Sequence, residues 1–254
     1  MVRGIYVAAS GMVAGMLQQD VIAQNLANVD TPGYKKDVAL MGSFAHEMAM
    51  RVEDRGARCL GSAVPIGLLG SGAFARGVGF DPREGPMIET GGTFDLAIQG
   101  DGYFVVATPD GEAYTRNGAF TLNAKGELTT ADGMLVLGEG GAITVPSGTR
   151  VDVWGNGAVV VDGKPCGRLR IVCFEEPSGL RKVGGGLFAA DAGTAKPAAS
   201  AAVRQGFLEM SNVNAVTEMV RMIAGMRAYE ACQKVIWFLD QTLDKAVNDV
   251  GRVA

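Results

Sequence analysis

Near both ends of the chain, apolar residues recur at alternating steps of three and four, the spacing of a helix with one buried stripe. The first such stretch covers residues 3–28. Its stripe is Ile5, Ala8, Met12, Gly15, Met16, Gln19, Ile22 and Leu26. Gly11 and Gly15 each cost roughly 1 kcal/mol of helix stability relative to alanine, so this helix needs close neighbours. Pro32 and Gly33 favour a turn after it.

The second stretch is longer and covers residues 212–250. Its stripe is Val213, Val216, Val220, Ile223, Met226, Tyr229, Cys232, Ile236, Leu239, Leu243, Ala246 and Val250. The mean spacing is near the coiled-coil period of about 3.5 residues, and the helix would be about 55 Å long. A small domain cannot cover that length, so we expect the first helix and other subunits to cover it. A helical hairpin within one chain is the simpler alternative.

Between these helices the pattern changes to short alternating runs separated by turns that contain glycine, of which the chain has 37. Asp-Gly and Asn-Gly pairs between alternating runs are strong hairpin signals. The predicted strands are 94–98, 103–107, 113–116, 119–122, 127–129, 135–137, 143–145, 151–154, 158–161, 168–174 and 186–189. Residues 36–55 have a weaker helical pattern, and 190–203 have the composition of a linker.

These patterns predict an α+β protein. Its N- and C-terminal helices would pack as a coiled-coil-like core, with an inserted antiparallel all-β domain of many short strands. The predicted segments are 1–55 for the N-terminal helical core, 56–85 for an extended linker or long hairpin, 86–190 for the β domain, 191–205 for a linker and 206–254 for the C-terminal core helix.

Composition excludes several classes of protein. The net charge of −4 provides no basic footprint for nucleic acid. No run approaches the ~18 apolar residues of a membrane-spanning helix, so we expect no transmembrane segment. Arg3 is not followed by the compact apolar region of a secretory signal. General targeting signals alone would therefore indicate the cytoplasm.

The chain has little of the chemistry that an enzyme needs. His46 is its single histidine, which excludes a histidine-based triad or a multi-histidine metal site. Four scattered cysteines lack metal-ligand spacing, and there is no phosphate-binding glycine motif. Asp95, Asp101, Glu112 and Glu127 could form a glycosidase pair, but their turn contexts favour structural roles. We predict no catalytic, cofactor-binding or metal-binding residue, no cofactor and no small-molecule substrate.

Three blocks, in order along the chain, resemble the flagellar basal-body rod family. They are residues 4–12 with 24–35, residues 94–104 with 114–120, and residues 205–214 with 227–230. The residues that carry the family motif are Asn25, Leu26, Asn28, Thr31, Pro32, Gly33, Tyr34, Ser211, Asn212, Asn214, Arg227, Tyr229 and Glu230. The resemblance covers most of the chain apart from 36–80 and 175–203.

The resemblance implies a non-enzymatic axial subunit of the bacterial flagellum. Such proteins are exported by the flagellar type III apparatus without a cleaved signal peptide, which replaces the cytoplasmic expectation. They form the torque-transmitting rod that crosses the periplasm. The implied partners are other copies of the chain, neighbouring rod proteins and the export apparatus.

The terminal stripes are the predicted subunit interface. Its residues are Ile5, Met12, Met16, Ile22, Leu26, Val213, Val216, Val220, Ile223, Met226, Tyr229, Ile236, Leu239 and Leu243. Within the family, residues 167–172, 233–236 and 248–253 favour a proximal-rod protein, while 227–230 are compatible with a distal-rod protein. A monomeric β binding module whose ends fold back on it is the remaining alternative.

Overall fold

The computed structural model describes residues 2–44, 46–51, 64–70, 72–146, 150–190, 196–197 and 201–250. Two long helices and many antiparallel strands make the protein α+β, as predicted. The helices are α1 (Val2–Ala27) and α2 (Ala215–Val250). The chain divides into a first unit (Met1–Gln24, Asp37–Gly79 and Val216–Ala254) and a second unit (Asn25–Lys36 and Phe80–Ala215).

In the first unit, α1 and α2 run antiparallel to each other. Three glycines show this, because a Cβ atom added to each would contact the other helix. The pairs are Gly4 with Leu239 Cδ1 at 3.3 Å, Gly11 with Cys232 Sγ at 3.5 Å, and Gly225 with Gln19 Cγ at 3.7 Å. As the residue number increases along α1, the residue number of its contact on α2 decreases, so the two helices point in opposite directions. The glycines allow this close approach because they carry no side chain.

The half-buried residues of α2 follow the same contact. Between residues 222 and 243 they recur at alternating steps of three and four, and all the remaining positions in this range are exposed. We call this set the α2 seam; it consists of Met222, Gly225, Tyr229, Cys232, Ile236, Leu239 and Leu243. Since three of its members approach α1, the seam is the face that α2 turns toward α1.

The other described residues of the first unit lie mostly in paired strands. Its strands are β1 (Asp37–Ser43), β2 (His46–Arg51), β3 (Val64–Gly70) and β4 (Ala73–Phe80). Strand β1 pairs with β4, and β2 pairs antiparallel with β3. The prediction of helix for 36–55 is therefore wrong over its described part; Val52, the last position of that pattern, lies outside the described residues.

The physical reason is that the local helical preference there is weak and a pairing strand is available. Val38, Met41 and Phe44 have helical spacing, but Gly42 lies between them and lowers helix stability. Short apolar runs do not separate helix from strand by periodicity. The strand also uses the glycine, because a Cβ on Gly42 would lie 2.9 Å from Phe74 Cζ.

The second unit consists mostly of short strands. They are β5 (Met87–Glu89), β6 (Leu96–Gln99), β7 (Tyr103–Thr108), β8 (Gly111–Thr115), β9 (Phe120–Leu122), β10 (Leu128–Thr130), β11 (Leu135–Gly138), β12 (Gly141–Ala142), β13 (Val151–Val153), β14 (Ala158–Val161), β15 (Lys164–Arg168), β16 (Ile171–Cys173), β17 (Arg181–Gly184), β18 (Leu187–Ala189), β19 (Lys196–Pro197), β20 (Ala202–Gln205) and β21 (Phe207–Glu209). A short 3₁₀ helix covers Pro177–Gly179.

These strands form one large sheet and three small ones. The large sheet has the order β17-β18-β8-β7-β11-β10-β9, and β12, β16 and β19 join it at its sides. Strand β7 is covered on both faces: Phe104 and Val106 belong to one apolar cluster, and Tyr103 and Val105 to another. Alternate side chains of a strand point to opposite faces, so β7 lies between two cores.

Several strand predictions need correction. The single strand expected at 168–174 is two, because β15 ends at Arg168 and β16 begins at Ile171. The predicted linker contains β19 and β20. The predicted C-terminal core helix, 206–254, includes β21, and its helix begins only at Ala215. Strand β20 pairs with β6, and β21 pairs with β5, so the chain adds strands to the second unit before α2 begins.

Neither α1 nor α2, over its described residues, combines the length and the apolar character that crossing a membrane would require.

The antiparallel register of the helices predicts a disulfide. In the Gly11→Cys variant, the new Cβ starts 3.5 Å from Cys232 Sγ, close enough for a bond after a small movement. Mild oxidation followed by peptide mapping is expected to find residue 11 linked to residue 232 within one chain. The control is Gly15→Cys, because a Cβ at Gly15 has no neighbour within 4 Å. Equal linkage of both variants to Cys232 would contradict the register.

Candidate functional site

The N-terminal motif forms a turn directly after α1. Asn25 is buried, and its Oδ1 accepts a hydrogen bond from the Tyr34 hydroxyl at 3.1 Å. Thr31 Oγ1 donates to Asn28 Oδ1 at 3.2 Å. Pro32 cannot continue a helix, so the chain leaves the helical path within this turn. The polar residues of the motif thus hold the shape of the chain where α1 ends.

Gly33 is the most constrained residue of this turn. Its φ is +70°, a conformation that glycine adopts readily and other residues rarely adopt. A Cβ at this position would lie 2.3 Å from the backbone nitrogen of Asn117. The Gly33 N–H donates to the Glu209 carbonyl at 2.7 Å. The position therefore accepts only glycine, both for its dihedral angle and for the available space.

Next to Gly33 lies a group of charged side chains that we call the ion cluster: Lys35, Glu209 and Arg116. Lys35 Nζ lies 2.7 Å from Glu209 Oε1, and Arg116 Nη1 lies 3.1 Å from Glu209 Oε2. The three side chains are 0%, 1% and 2% exposed, in the order Lys35, Glu209, Arg116. One buried carboxylate therefore lies between two buried cations.

Neutral groups accept further hydrogen bonds from the two cations. Lys35 Nζ also donates to the Arg83 carbonyl at 2.8 Å. Arg116 donates to the carbonyls of Ile98 at 3.3 Å and Gly100 at 2.8 Å. Among the described residues, Arg116 Nε is buried without a hydrogen-bond partner. The guanidinium lies 5.2 Å from the centre of the Tyr103 ring, an attractive cation–π distance.

Burial changes the protonation behaviour of this region. Removal from water lowers the pKa of Lys35 below its ordinary value of 10.5, while the nearby Glu209 carboxylate opposes that shift. Burial raises the pKa of Tyr103 to about 12, because the phenolate would be charged in a dry environment. Both shifts reflect desolvation, which makes correct pairing of the charges in the cluster important.

The C-terminal motif meets the N-terminal motif in the same region. Asn212 Oδ1 accepts from the Lys36 N–H at 2.7 Å, and its Nδ2 donates to the carbonyls of Asp81 at 3.1 Å and Arg83 at 3.0 Å. Ser211 Oγ accepts from the backbone N–H of the residue two positions later. The short polar residues just before α2 therefore hold the chain that follows α1.

A lysine from β17 holds the same extended segment from another side. Lys182 Nζ donates to the Lys35 carbonyl, and it lies 4.1 Å from the centre of the Tyr34 ring. The segment 33–36 is thus contacted by three separate parts of the second unit.

All three family-like blocks converge on the ion cluster, one charged residue from each. Lys35, Arg116 and Glu209 stand inside the blocks, yet sequence reasoning selected none of them as site residues. The signal that could have found them is a charged residue inside a motif segment whose neighbours are buried, because a buried charge requires a partner of opposite charge. Of the other motif residues, Leu26 is half-buried and Asn214 is exposed, whereas Arg227, Tyr229 and Glu230 belong to the first unit.

The predicted interface residues fall into three groups by burial. On α1, Met16 is exposed and the others are buried or half-buried: Ile5, Met12, Ile22 and Leu26. On α2, four residues belong to the half-buried seam: Tyr229, Ile236, Leu239 and Leu243. Four other residues of α2 are exposed: Val216, Val220, Ile223 and Met226. Val213 is buried in the second unit. Several residues predicted to contact other subunits thus lie on the faces that the two helices share within one chain.

The exposed residues of α2 form a second apolar face, which we call the outer stripe. It comprises Val216, Met219, Val220, Ile223 and Met226, each between 47% and 70% exposed. Ile223 and Cys232 of the seam are nine positions apart, or about two and a half helical turns. At its centre, Ile223, the outer stripe therefore faces away from the seam, whereas Met219 and Met226 lie one helical turn from Met222 and border the seam.

Three of the four carboxylates that could have formed a glycosidase pair make structural hydrogen bonds. Glu112 makes two hydrogen bonds of 2.7 Å with Arg170, Glu127 accepts from an asparagine side chain, and Asp95 accepts from a threonine hydroxyl. Within the described part of the chain, no group of three or more His, Cys, Asp or Glu side chains could hold a metal ion.

Comparison with protein families agrees with this arrangement. Residues 5–35 match the family described as "Flagella basal body rod protein". Residues 97–161 match the "Flagellar hook protein FlgE/F/G D1 domain", and residues 204–249 match the "Flagellar basal body rod FlgEFG protein C-terminal". The ion cluster takes Lys35 from the first matched segment, Arg116 from the second and Glu209 from the third.

Full-length relatives give the same result. The chain is 35% identical over 257 residues to the flagellar basal-body rod protein FlgG of Caulobacter vibrioides, covering 95% of this chain and 97% of the relative. It is 34% identical over 264 residues to FlgG of Bacillus subtilis, covering 98% and 99%. FlgF of Caulobacter vibrioides is 34% identical over 255 residues, with 99% of each chain covered.

The chain therefore belongs to the flagellar basal-body rod protein family. The relatives are named as rod proteins, so this is a structural protein of the flagellar basal body and not an enzyme. Within the family it is FlgG-like, since FlgG is the name that most of its compared relatives carry.

The space around Gly33 predicts an unusually large effect of one methyl group. Gly33→Ala is expected to lower the free energy of unfolding by about 3 kcal/mol or more, because the clash with the Asn117 backbone adds to left-handed strain. Gly91 is the matched control: its φ is +69°, and a Cβ there meets nothing within 4 Å. Gly91→Ala is expected to cost only about 1–2 kcal/mol. Equal losses in urea denaturation would show that the space around Gly33 is not limiting.

Proposed function

We propose that this protein is an axial subunit of the flagellar rod. In this proposal it polymerises with other copies and with neighbouring rod proteins through its terminal helices, and it forms part of the shaft that transmits torque. The observation that carries the proposal is the outer stripe, an apolar face of α2 that remains exposed beside the seam. Contiguous exposed apolar surface of this kind is typical of a protein–protein contact.

The two faces of α2 assign separate roles to the residues that were predicted as one interface. The seam supports packing of α1 and α2 as a coiled-coil-like core within one chain, because its residues recur at alternating steps of three and four. The outer stripe remains for contacts between chains. Intramolecular pairing and assembly are thus compatible, since they use different residues and different sides of the same helix.

A contact of this kind suits an open helical assembly. If the outer stripe of one subunit packs on a different surface of the next, the contact is heterologous, and it generates a helix unless the rotation closes into a ring. Many dispersed apolar contacts between helices would then resist twisting. The family name of the relatives, which places them in the rod, agrees with such a role.

Export by the flagellar type III apparatus, without a cleaved signal peptide, is part of the same proposal. A chain that travels through a narrow channel must be unfolded, and α1 is well suited to this because Gly11 and Gly15 weaken it as an isolated helix. Neighbouring helices would then stabilise it after assembly. The subunit would lie in the part of the rod that crosses the periplasm.

We place the subunit in the proximal rod, with the distal rod as the alternative. Residues 167–172, 233–236 and 248–253 support the proximal position, and 227–230 are compatible with the distal one. The names of the relatives, FlgG and FlgF, do not state a position along the rod.

Electron microscopy of isolated basal bodies distinguishes the two positions. A short epitope inserted at the exposed Asp110 turn between β7 and β8, and labelled with gold, reports the location of the subunit. Label near the export-apparatus end is expected. Label confined to the hook end would place the protein in the distal rod instead.

A charge in the outer stripe is expected to prevent assembly without unfolding the chain. Ile223→Asp changes an exposed position, so the free energy of unfolding of the purified chain is expected to change by less than about 0.5 kcal/mol. In an assembled rod the same charge would be buried without a partner, at a cost of several kcal/mol. We therefore expect loss of swimming in soft agar.

Two variants serve as controls for that experiment. Ile223→Leu retains an apolar side chain of equal size and is expected to swim normally. Ala224→Asp introduces the same charge one position away, outside the stripe, and is expected to swim better than Ile223→Asp. Normal swimming of Ile223→Asp would count against assembly through this face.

A further inference from the structure

The ion cluster joins parts of the chain that are far apart in sequence. Lys35 follows α1, Glu209 precedes α2 by a few residues, and Arg116 lies just after β8. The Lys35 and Glu209 positions are 174 residues apart, and those of Arg116 and Glu209 are 93 apart. The cluster therefore forms only when the segments next to both helices have reached the second unit.

The charges of the cluster are not balanced by its buried members alone. Two cations share one buried carboxylate, and the next carboxylate, that of Glu84, is 39% exposed with its Oε1 3.8 Å from Arg116 Nη1. Removing the charge of Glu209 would leave the two buried cations with only the partly exposed Glu84 carboxylate nearby. Removing the charge of Lys35 would leave a balanced Arg116–Glu209 pair. The two changes are chemically similar but have opposite consequences for charge balance.

Removing the Lys35 side chain also leaves the Arg83 carbonyl with a hydrogen-bond donor. The Arg83 carbonyl that accepts from Lys35 Nζ accepts from Asn212 Nδ2 as well, at 3.0 Å. By contrast, Glu209 Oε1 accepts from Lys35 and from the Gly85 N–H, at 3.0 Å. Glu209 is therefore the member on which the other contacts depend.

Backbone contacts beside the cluster connect the two motif segments directly. The Gly33 N–H donates to the Glu209 carbonyl, and the Lys36 N–H donates to Asn212 Oδ1. These two amides lie on either side of Lys35. Their hydrogen bonds report whether the segment that follows α1 and the segment that precedes α2 are held together.

We propose that the ion cluster is an electrostatic clamp that fastens the chain leaving α1 and the chain entering α2 to one point of the second unit, with the Glu209 carboxylate as its central element. The clamp makes the order of both segments conditional on one buried charge. It closes only when residues from the beginning, middle and end of the chain are all present. It is independent of polymerisation, since every contact belongs to one chain.

In a rod, such a clamp would have a mechanical role. Torque that reaches a subunit through its helices would pass to the second unit through the clamped backbone rather than through a loose connection. A partly delivered chain would lack the clamp, because Lys35 and Glu209 come from opposite ends of the sequence. This extension rests on the proposed function, whereas the clamp itself does not.

Hydrogen exchange of the full-length purified chain tests the clamp. Glu209→Gln retains the shape of the side chain and removes its charge; we expect at least a tenfold increase in amide exchange at Gly33 and Lys36. Lys35→Met is expected to increase exchange at these amides less than threefold. Adding Lys35→Met to Glu209→Gln is expected to recover most of the lost protection, because one of the two uncompensated cations is gone.

Glu84→Gln is the matched control, because it removes a nearby carboxylate charge outside the buried cluster. Glu84 Oε1 accepts from the Gly100 N–H at 2.6 Å, so an effect is expected at Gly100 and not at Gly33. Equal effects of Lys35→Met and Glu209→Gln would overturn the clamp. So would a failure of Lys35→Met to recover protection, which can be read even if Glu209→Gln alone does not fold.

The outcome can be separated from the test of assembly. Loss of swimming in Ile223→Asp with unchanged exchange in Glu209→Gln would support the rod function and refute the clamp. The reverse result would support the clamp and refute assembly through the outer stripe.

Discussion

The buried carboxylate of Glu209 is the contact on which the arrangement of the chain ends depends. It lies between Lys35 and Arg116, and all three side chains are almost completely removed from water. Burying a charge is costly unless a partner and hydrogen bonds compensate for it. The structure provides both, since the cations also donate to backbone carbonyls. The remaining contacts of the motif, at Gly33 and Asn212, lie beside this cluster and fasten the same two segments.

A second constraint governs the terminal helices. An α-helix of 36 residues has more surface than one neighbouring helix can cover, and α2 divides that surface into two apolar faces. The seam contacts the glycine-bearing face of α1, where missing side chains allow close approach. The outer stripe remains exposed, which is unfavourable for an isolated chain and favourable for one that assembles. The sequence pattern merged these faces because apolar residues of both stand close together along α2.

Much of the fold was accessible from local patterns. Both helices, the strand-rich middle and the turns between its strands follow from period and turn chemistry, which act over a few residues. The errors lie in segments whose secondary structure is determined by pairing with a strand far away in the sequence. Residues 37–43 pair with 73–80 despite helical spacing, and β20 and β21 pair with strands more than a hundred positions earlier. Weak local preference yields to such pairing because the partner strand satisfies the backbone hydrogen bonds.

The sequence by itself determined the family, the two amphipathic helices and the lack of enzymatic chemistry, since each of these follows from residue types and their spacing along the chain. Only the tertiary structure decided which apolar residues of α2 face α1 and which remain exposed, because both sets have helical spacing. Only the tertiary structure brought Lys35, Arg116 and Glu209 together. The reason is physical: charge pairing depends on distance in space, and the folding of segments that no local rule connects brings Lys35 and Arg116 each within about 3 Å of the Glu209 carboxylate.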